Sequence, residues 1–320
     1  MALHDGGYKL FFSHKRMVQQ LLTGYARGAW LSQAHLDTLE PVPTVYTADT
    51  LDQRVSDMLW RFRWGAEWVY VYLLLEFQST APWEMAIRVI GYQALLYQDI
   101  IRAGLVRPGQ KLPTVLPLVL YNGSAPWTAA ADVSSLIAPA PEGLEFGRLQ
   151  GGYLVIDERR TPDNNQLMQE HNLVEALFRL EKSRTPEDIA RVVECLAEWL
   201  ATPEADSLAK AFTTWLNGVL IPARMPGQPA AQAHDLQEMR GMLTETVKQW
   251  TRDWTQEGVQ QGMQQGMQKG EADMLLRQMA VQFGPLSDDV RQRVAEADSE
   301  TLLRWGEKVL KARRIEDVLN

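Results

Sequence analysis

The sequence predicts an α/β fold, with a mixed β-sheet flanked by helices and then a helical C-terminal region. Three observations lead there. Two β-rich runs, "RVSDMLWRFRW" and "WVYVYLLLEFQ", flank Gly65-Ala66-Glu67 as the arms of a hairpin would. Two shorter strand-like segments, at 114–123 and 152–158, follow an amphipathic helical stretch, so strands and helices alternate. From 164 onward apolar residues recur at helical spacing.

In chain order, the opening "HDGGYKLFFSHKRMVQQLLTGYARG" predicts a helix from about Tyr8, because Leu10, Phe11, Met17, Val18, Leu21 and Leu22 recur three and four apart. Gly6-Gly7 argues against an earlier start. After the hairpin, Pro82 suits a first helical turn, and 84–102 reads as one long amphipathic helix. A Pro/Ala loop separates the strands at 114–123 and 152–158. Helices follow in "NNQLMQEHNLVEALFRLEK" and "TPEDIARVVECLAEWLA". The Pro- and Ala-rich "IPARMPGQPAAQAHD" reads as a linker. A long helix starts near Leu236, and beyond the stop at Phe283-Gly284-Pro285, caps at Ser287 and Ser299 predict short helices. The expected division is 1–222 for the sheet domain with accessory helices, 223–235 for a linker, 236–271 for a long helix, and 272–320 for a small helical domain.

The 320 residues are 46% hydrophobic and 22% charged, enough apolar material for one sizeable core and a smaller unit. No stretch reaches the ~18 uncharged apolar residues of a membrane span, and Met1-Ala2-Leu3-His4-Asp5 lacks a signal-peptide layout, so a cytoplasmic protein is expected. Cys195 is the only cysteine, which excludes an internal disulfide and a thiolate metal cluster. A net charge of −8 argues against a broad electrostatic footprint for nucleic acid, so any polyanion must meet a local patch.

One constellation carries chemistry. The apolar run ends in Glu76-Phe77-Gln78, and alternation along a strand puts Glu76 and Gln78 on one face. A hairpin closing through 65–68 sets Asp57 directly opposite Glu76, about 4.5–5.5 Å away. Two carboxylates so placed repel unless a cation lies between them, and a hard divalent ion is the natural occupant. Asp57 and Glu76 are therefore expected to hold Mg²⁺ with help from the Phe77 carbonyl, with Mn²⁺ or Ca²⁺ as possible substitutes. The metal would activate a water on a phosphodiester, and Gln78 would orient that water or the phosphate. A neutral amide cannot be the base. Solvated acids at strand ends are the plainer reading of the same residues.

The stretches "HDGGYKLFF", "SDMLWRF", "YVYLLLEFQS", "RVIGYQALL" and "LPLVLYNG" resemble, in order over 1–158, the Rpn (recombination-promoting nuclease) or YhgA-like transposase family of the PD-(D/E)XK nuclease superfamily. The resemblance implies a restriction-endonuclease-like fold and Mg²⁺-dependent DNA cleavage, with Asp57, Glu76 and Gln78 at the Asp and Glu-x-Gln positions. Gln78 stands where the wider superfamily mostly has Lys. Possible accessory residues are Asp5 and Lys9, which also suit a surface pair four apart on a helix, together with Arg88 and Tyr92, equally placed to face a DNA backbone or to pack at the sheet edge. Arg54, Arg61 and Arg63 flank Asp57 as a candidate DNA-binding rim, with Lys9, Lys15 and Arg16 upstream. Trp60 and Trp64, on the other face, read as core.

In "EGVQQGMQQGMQKGEA", Gly258, Gly262, Gly266 and Gly270 recur every four residues. At about 1 kcal/mol each in a helix interior, they suggest either a close helix pair or a flexible Gln-rich connector. The region from 258 onward resembles the small C-terminal helical domain (DUF4351) often attached to this family, and homo-oligomerisation through it is an expectation. Two other functions stay open: an RNase H-like transposase using Asp157 as a third acid, and a non-catalytic oligomeric DNA-associated protein with a degenerate site. Other chemistries find little support. There is no Gly-x-Ser-x-Gly, and Gly104-x4-Gly109 is followed by Gln110 before Lys111, one residue off a phosphate loop.

Overall fold

The computed structural model describes residues 2–26, 28–42, 57–76, 80–143, 149–225 and 232–319; at 2–5, 57, 250, 251, 253–255, 257–259 and 261 the backbone alone is described. The chain divides into two compact units, Met1–Glu245 and Thr246–Asn320.

The first unit opens with α1 (Ala2–Phe12) and α2 (Lys15–Tyr25), broken at Ser13-His14. The helix thus starts six residues before the expected Tyr8 and runs through Gly6-Gly7. A side chain at Gly7 would put its Cβ 2.4 Å from the Trp215 ring, so glycine there permits close packing that outweighs its low helix propensity.

The strands are β1 (Ala34–Pro41), β2 (Asp57–Trp64), β3 (Glu67–Glu76), β4 (Thr114–Tyr121) and β5 (Leu154–Asp157). They form one mixed sheet in chain order, antiparallel from β1 to β3 and parallel from β3 to β5. This is the α/β architecture expected, although β1 carried too little alternation to be seen: it buries only Leu36 and Leu39 and is bulged between His35 and Glu40. Gly65 turns the β2–β3 hairpin with φ 59°, and Trp64 pairs with Glu67 across the two-residue loop.

Both faces of the sheet are covered, which explains the unbroken apolar text of β3. Trp60, Phe62, Val71, Leu73 and Leu75 face α1, α2 and the later helices. Leu59, Tyr70, Tyr72 and Leu74 face α3 (Met85–Arg102), the crossover to β4, through Met85, Ala86 and Val89. The sheet is followed by α4 (Asn165–Gln169), α5 (Leu173–Lys182), α6 (Pro186–Trp199) and α7 (Asp206–Trp215). Asn164 and Asn172 cap α4 and α5, and Thr185 and Asp188 form a capping box around Pro186. A π-helical turn, Leu216–Leu220, carries α7 into α8 (Ile221–Arg224), and Ile221 and Met225 are buried in the same core.

α9 (Leu236–Phe283) spans the boundary between the units. In the second unit its Ala272, Leu275 and Met279 pack with α10 (Asp288–Ala295), α11 (Ser299–Val309) and α12 (Ile315–Leu319) around Trp305. Ser287 caps α10 as expected, but Asp298 rather than Ser299 caps α11. No helix among the described residues is long and apolar enough to cross a membrane.

Candidate active site

Parallel β3, β4 and β5 end level with one another. Glu76 pairs with Tyr121, and Tyr121 with Asp157. β2 runs the other way, so its first residue, Asp57, enters at the same edge. Because side chains alternate, Glu76, Tyr121 and Asp157 share the face that α3 covers, and the backbone register sets position 57 opposite Leu74 of that face. In open α/β sheets, ligands bind outside the carboxyl ends of parallel strands, and this edge is such a place.

The register differs from the expected one by two residues. Asp57 pairs with Leu74, not Glu76, because the loop is Gly65-Ala66 rather than four residues. A shift of two preserves the face, so Glu76 becomes the diagonal neighbour of Asp57, roughly 7–8 Å away instead of directly opposite.

Glu76 is only 5% exposed. Arg88, one turn into α3, brings Nη1 to 3.7 Å from Glu76 Oε2 and donates from Nη2 to the Tyr92 hydroxyl at 3.4 Å. The Tyr92 ring lies 5.7 Å from that of Tyr72. A buried carboxylate needs such a cation, so Arg88 turns inward to Glu76. Asp157 accepts from the Trp127 backbone N–H at 3.2 Å and from Arg160 at 3.3 Å. Burial first, then Asp157 and, more weakly, Glu76 push the Tyr121 phenol above its ordinary range, while Arg160 and Arg159 act the other way.

The rim residues sit further along. Arg61 and Arg63 share the face of Asp57 but lie four and six residues up β2, roughly 13 and 20 Å along the strand. Their guanidinium groups stack on Trp68, at 4.3 and 3.8 Å from its ring, and Arg61 also pairs with Glu40 at 2.5 Å. Lys9 is half-buried on α1. Arg54, Phe77 and Gln78 lie outside the described residues, as do the side chains of Asp5 and Asp57. Trp60 is core as expected; Trp64 is 41% exposed.

Hard carboxylate oxygens suit Mg²⁺ rather than a soft metal, and a diagonal pair can converge on one ion if both side chains lean inward. Among the described residues, no group of three or more His, Cys, Asp and Glu is arranged to hold a metal.

The family model described as "Putative transposase, YhgA-like" matches residues 2–209. The chain belongs to this family. Over 204 residues it is 26% identical to recombination-promoting nuclease RpnA of Escherichia coli (strain K12), covering 63% of this chain and 67% of that protein. Over 221 residues it is 24% identical to recombination-promoting nuclease RpnD of Escherichia coli O157:H7, covering 68% and 81%. Over 202 residues it is 25% identical to a K12 protein named inactive recombination-promoting nuclease-like protein RpnE, covering 60% and 62%. No solved structure matches the chain.

Within this YhgA-like chain, sequence reasoning passed over a second polar group on the opposite face of the same edge. The Tyr8 hydroxyl donates to Glu158 Oε2 at 2.6 Å and accepts from Asn122 Nδ2 at 3.1 Å, with Glu181 Oε1 3.4 Å away. Arg159 Nε donates to Asn122 Oδ1 at 2.9 Å. Tyr8 and Asn122 stand inside two family-like stretches, "HDGGYKLFF" and "LPLVLYNG", and that was the available signal. Nothing local announces Glu158, whose hydrogen-bond partner Tyr8 is 150 residues away in sequence.

Proposed function

We propose that this chain is a metal-dependent DNA endonuclease that hydrolyses phosphodiester bonds, in line with the names of RpnA and RpnD. The observation that supports it most is the placement of Asp57 and Glu76 on one face of antiparallel β2 and β3, at the edge where the parallel strands end. In this reading Asp57, Glu76 and the Phe77 carbonyl hold Mg²⁺, as in a PD-(D/E)XK site. Bound there, the ion would lower the pKa of a water and offset charge on the phosphate. Gln78 orients the water or the scissile phosphate, and Arg88 compensates the Glu76 charge when no metal is present. Water adds to phosphorus, and the leaving oxygen takes the proton. DNA is the partner, approached along Arg54, Arg61 and Arg63.

The test is nicking of supercoiled plasmid by the pure protein with Mg²⁺, Mn²⁺ or EDTA. Expected is metal-dependent nicking that Asp57→Ala and Glu76→Ala each reduce by more than the ~10–100-fold typical of losing an outer-shell partner. Equal nicking in EDTA, or by Asp57→Ala, overturns the reading.

One observation favours a second reading. Asp157 shares the face of Glu76 two strands away, as a third acid of an RNase H-like transposase would. Asp157 is, however, already engaged by Trp127 and Arg160. Loss of cleavage in Asp157→Ala with retention in Gln78→Ala would select that reading. The inactive relative keeps a non-catalytic role in view: no nicking by the wild-type chain under any metal would select it.

A further inference from the structure

We propose that Tyr8, Asn122 and Glu158 are positioning residues that set the backbone level of Glu76, a role that rests on the nuclease reading above. Asn122 and Glu158 are the residues immediately after β4 and β5. The Asn122 N–H donates to the Glu76 carbonyl at 3.1 Å, and the Glu158 N–H donates to the Tyr121 carbonyl at 3.0 Å. These two bonds close the ladder at the catalytic edge. Their side chains leave on the opposite face from Glu76 and converge on one atom, the Tyr8 hydroxyl of α1. Arg159 holds the other end of the Asn122 amide, so that side chain is fixed at both its nitrogen and its oxygen.

Packing alone does not call for this arrangement. Tyr8 and Glu158 are fully buried and Asn122 nearly so, where apolar side chains would fill the space without a desolvation cost. Among the described residues Glu158 Oε1 has no hydrogen-bond partner, so the carboxyl is kept at a cost. What the network gains is geometry. It ties α1 to the last bonds of two adjacent strands, and so fixes the height of Glu76. A displacement of ~1 Å in a reacting constellation costs about 100-fold in rate.

The experiment is full-length protein nicking supercoiled plasmid across a Mg²⁺ titration, with Mn²⁺ binding by calorimetry and thermal unfolding on the same samples. Tyr8→Phe and Glu158→Leu are expected to raise the Mg²⁺ needed for half-maximal nicking and to lower the saturating rate by about 10- to 100-fold. Glu158→Gln, which still accepts from Tyr8, is expected to recover most of what Glu158→Leu loses. If Tyr8→Phe lowers only the melting temperature, with wild-type Mg²⁺ dependence and rate in the folded protein, the network is core packing and the proposal falls. If wild-type protein binds Mn²⁺ without nicking, the nuclease reading fails alone, and weaker Mn²⁺ binding by Tyr8→Phe still decides for positioning, whereas equal binding decides against it. If wild type neither nicks nor binds metal, both fall.

Discussion

Glu76 is 5% exposed, and Arg88 comes within 3.7 Å of it. Removing the cation alone should therefore be worse than removing both charges: Arg88→Ala is expected to cost about 1–3 kcal/mol in urea unfolding, and Glu76→Gln should recover part of that in the double variant. Glu158 shows the opposite solution. Burial first, then Glu181, push its carboxyl well above the carboxylate range, while the Tyr8 hydrogen bond, Arg159 and Lys182 act the other way. The folded state therefore holds a proton that the unfolded chain releases. Its stabilising contribution is complete below the unfolded pKa of about 4.3 and is lost as pH rises through the folded pKa. Glu158→Gln removes that dependence, so its melting temperature should gain on wild type between pH 5 and 8. A constant difference across that range would show that Glu158 is ionised when folded.

At the scale of elements, the β2–β3 register decides the site. A two-residue turn made Asp57 and Glu76 diagonal neighbours, and because the slip from expectation was even, both remain on the α3 face. Inserting one residue after Ala66 would turn one strand over and should abolish folding. The contact of α1 is as specific: Gly7→Ala drives a Cβ to 2.4 Å from the Trp215 ring. It should cost about 1–3 kcal/mol, read as a lower denaturation midpoint at unchanged slope.

At the scale of the molecule, three glycines of the ladder, Gly262, Gly266 and Gly270, meet no neighbour among the described residues. Within α9 nothing lies within 4 Å of a Cβ added at Gly262, Gly266 or Gly270, and Met263 and Met267 are 64% exposed. Replacing these three glycines by Ala should stabilise an isolated helix by up to about 1 kcal/mol each. In the homo-oligomer expected from the sequence, a second copy packed closely on that stripe would instead be displaced. Sedimentation velocity of the triple variant distinguishes a stabilised species of unchanged mass from a dissociated one.

What the sequence determined by itself was the local and periodic part: the α/β alternation, the hairpin, the α3 helix, the Ser287 cap, and the strand that ends in Glu76. These rest on residue spacing and turn chemistry within a few positions of each other. β1 escaped because a bulged edge strand burying two leucines leaves almost no alternation to read. Only the tertiary structure decided the rest. It set the pairing of Asp57 with Leu74, the inward turn of Arg88, the closeness that makes Gly7 a helix residue, and the meeting of Tyr8, Asn122 and Glu158. Those contacts join residues 12 to 208 positions apart, and their energies depend on burial and register, quantities that exist only once the sheet has closed against its helices.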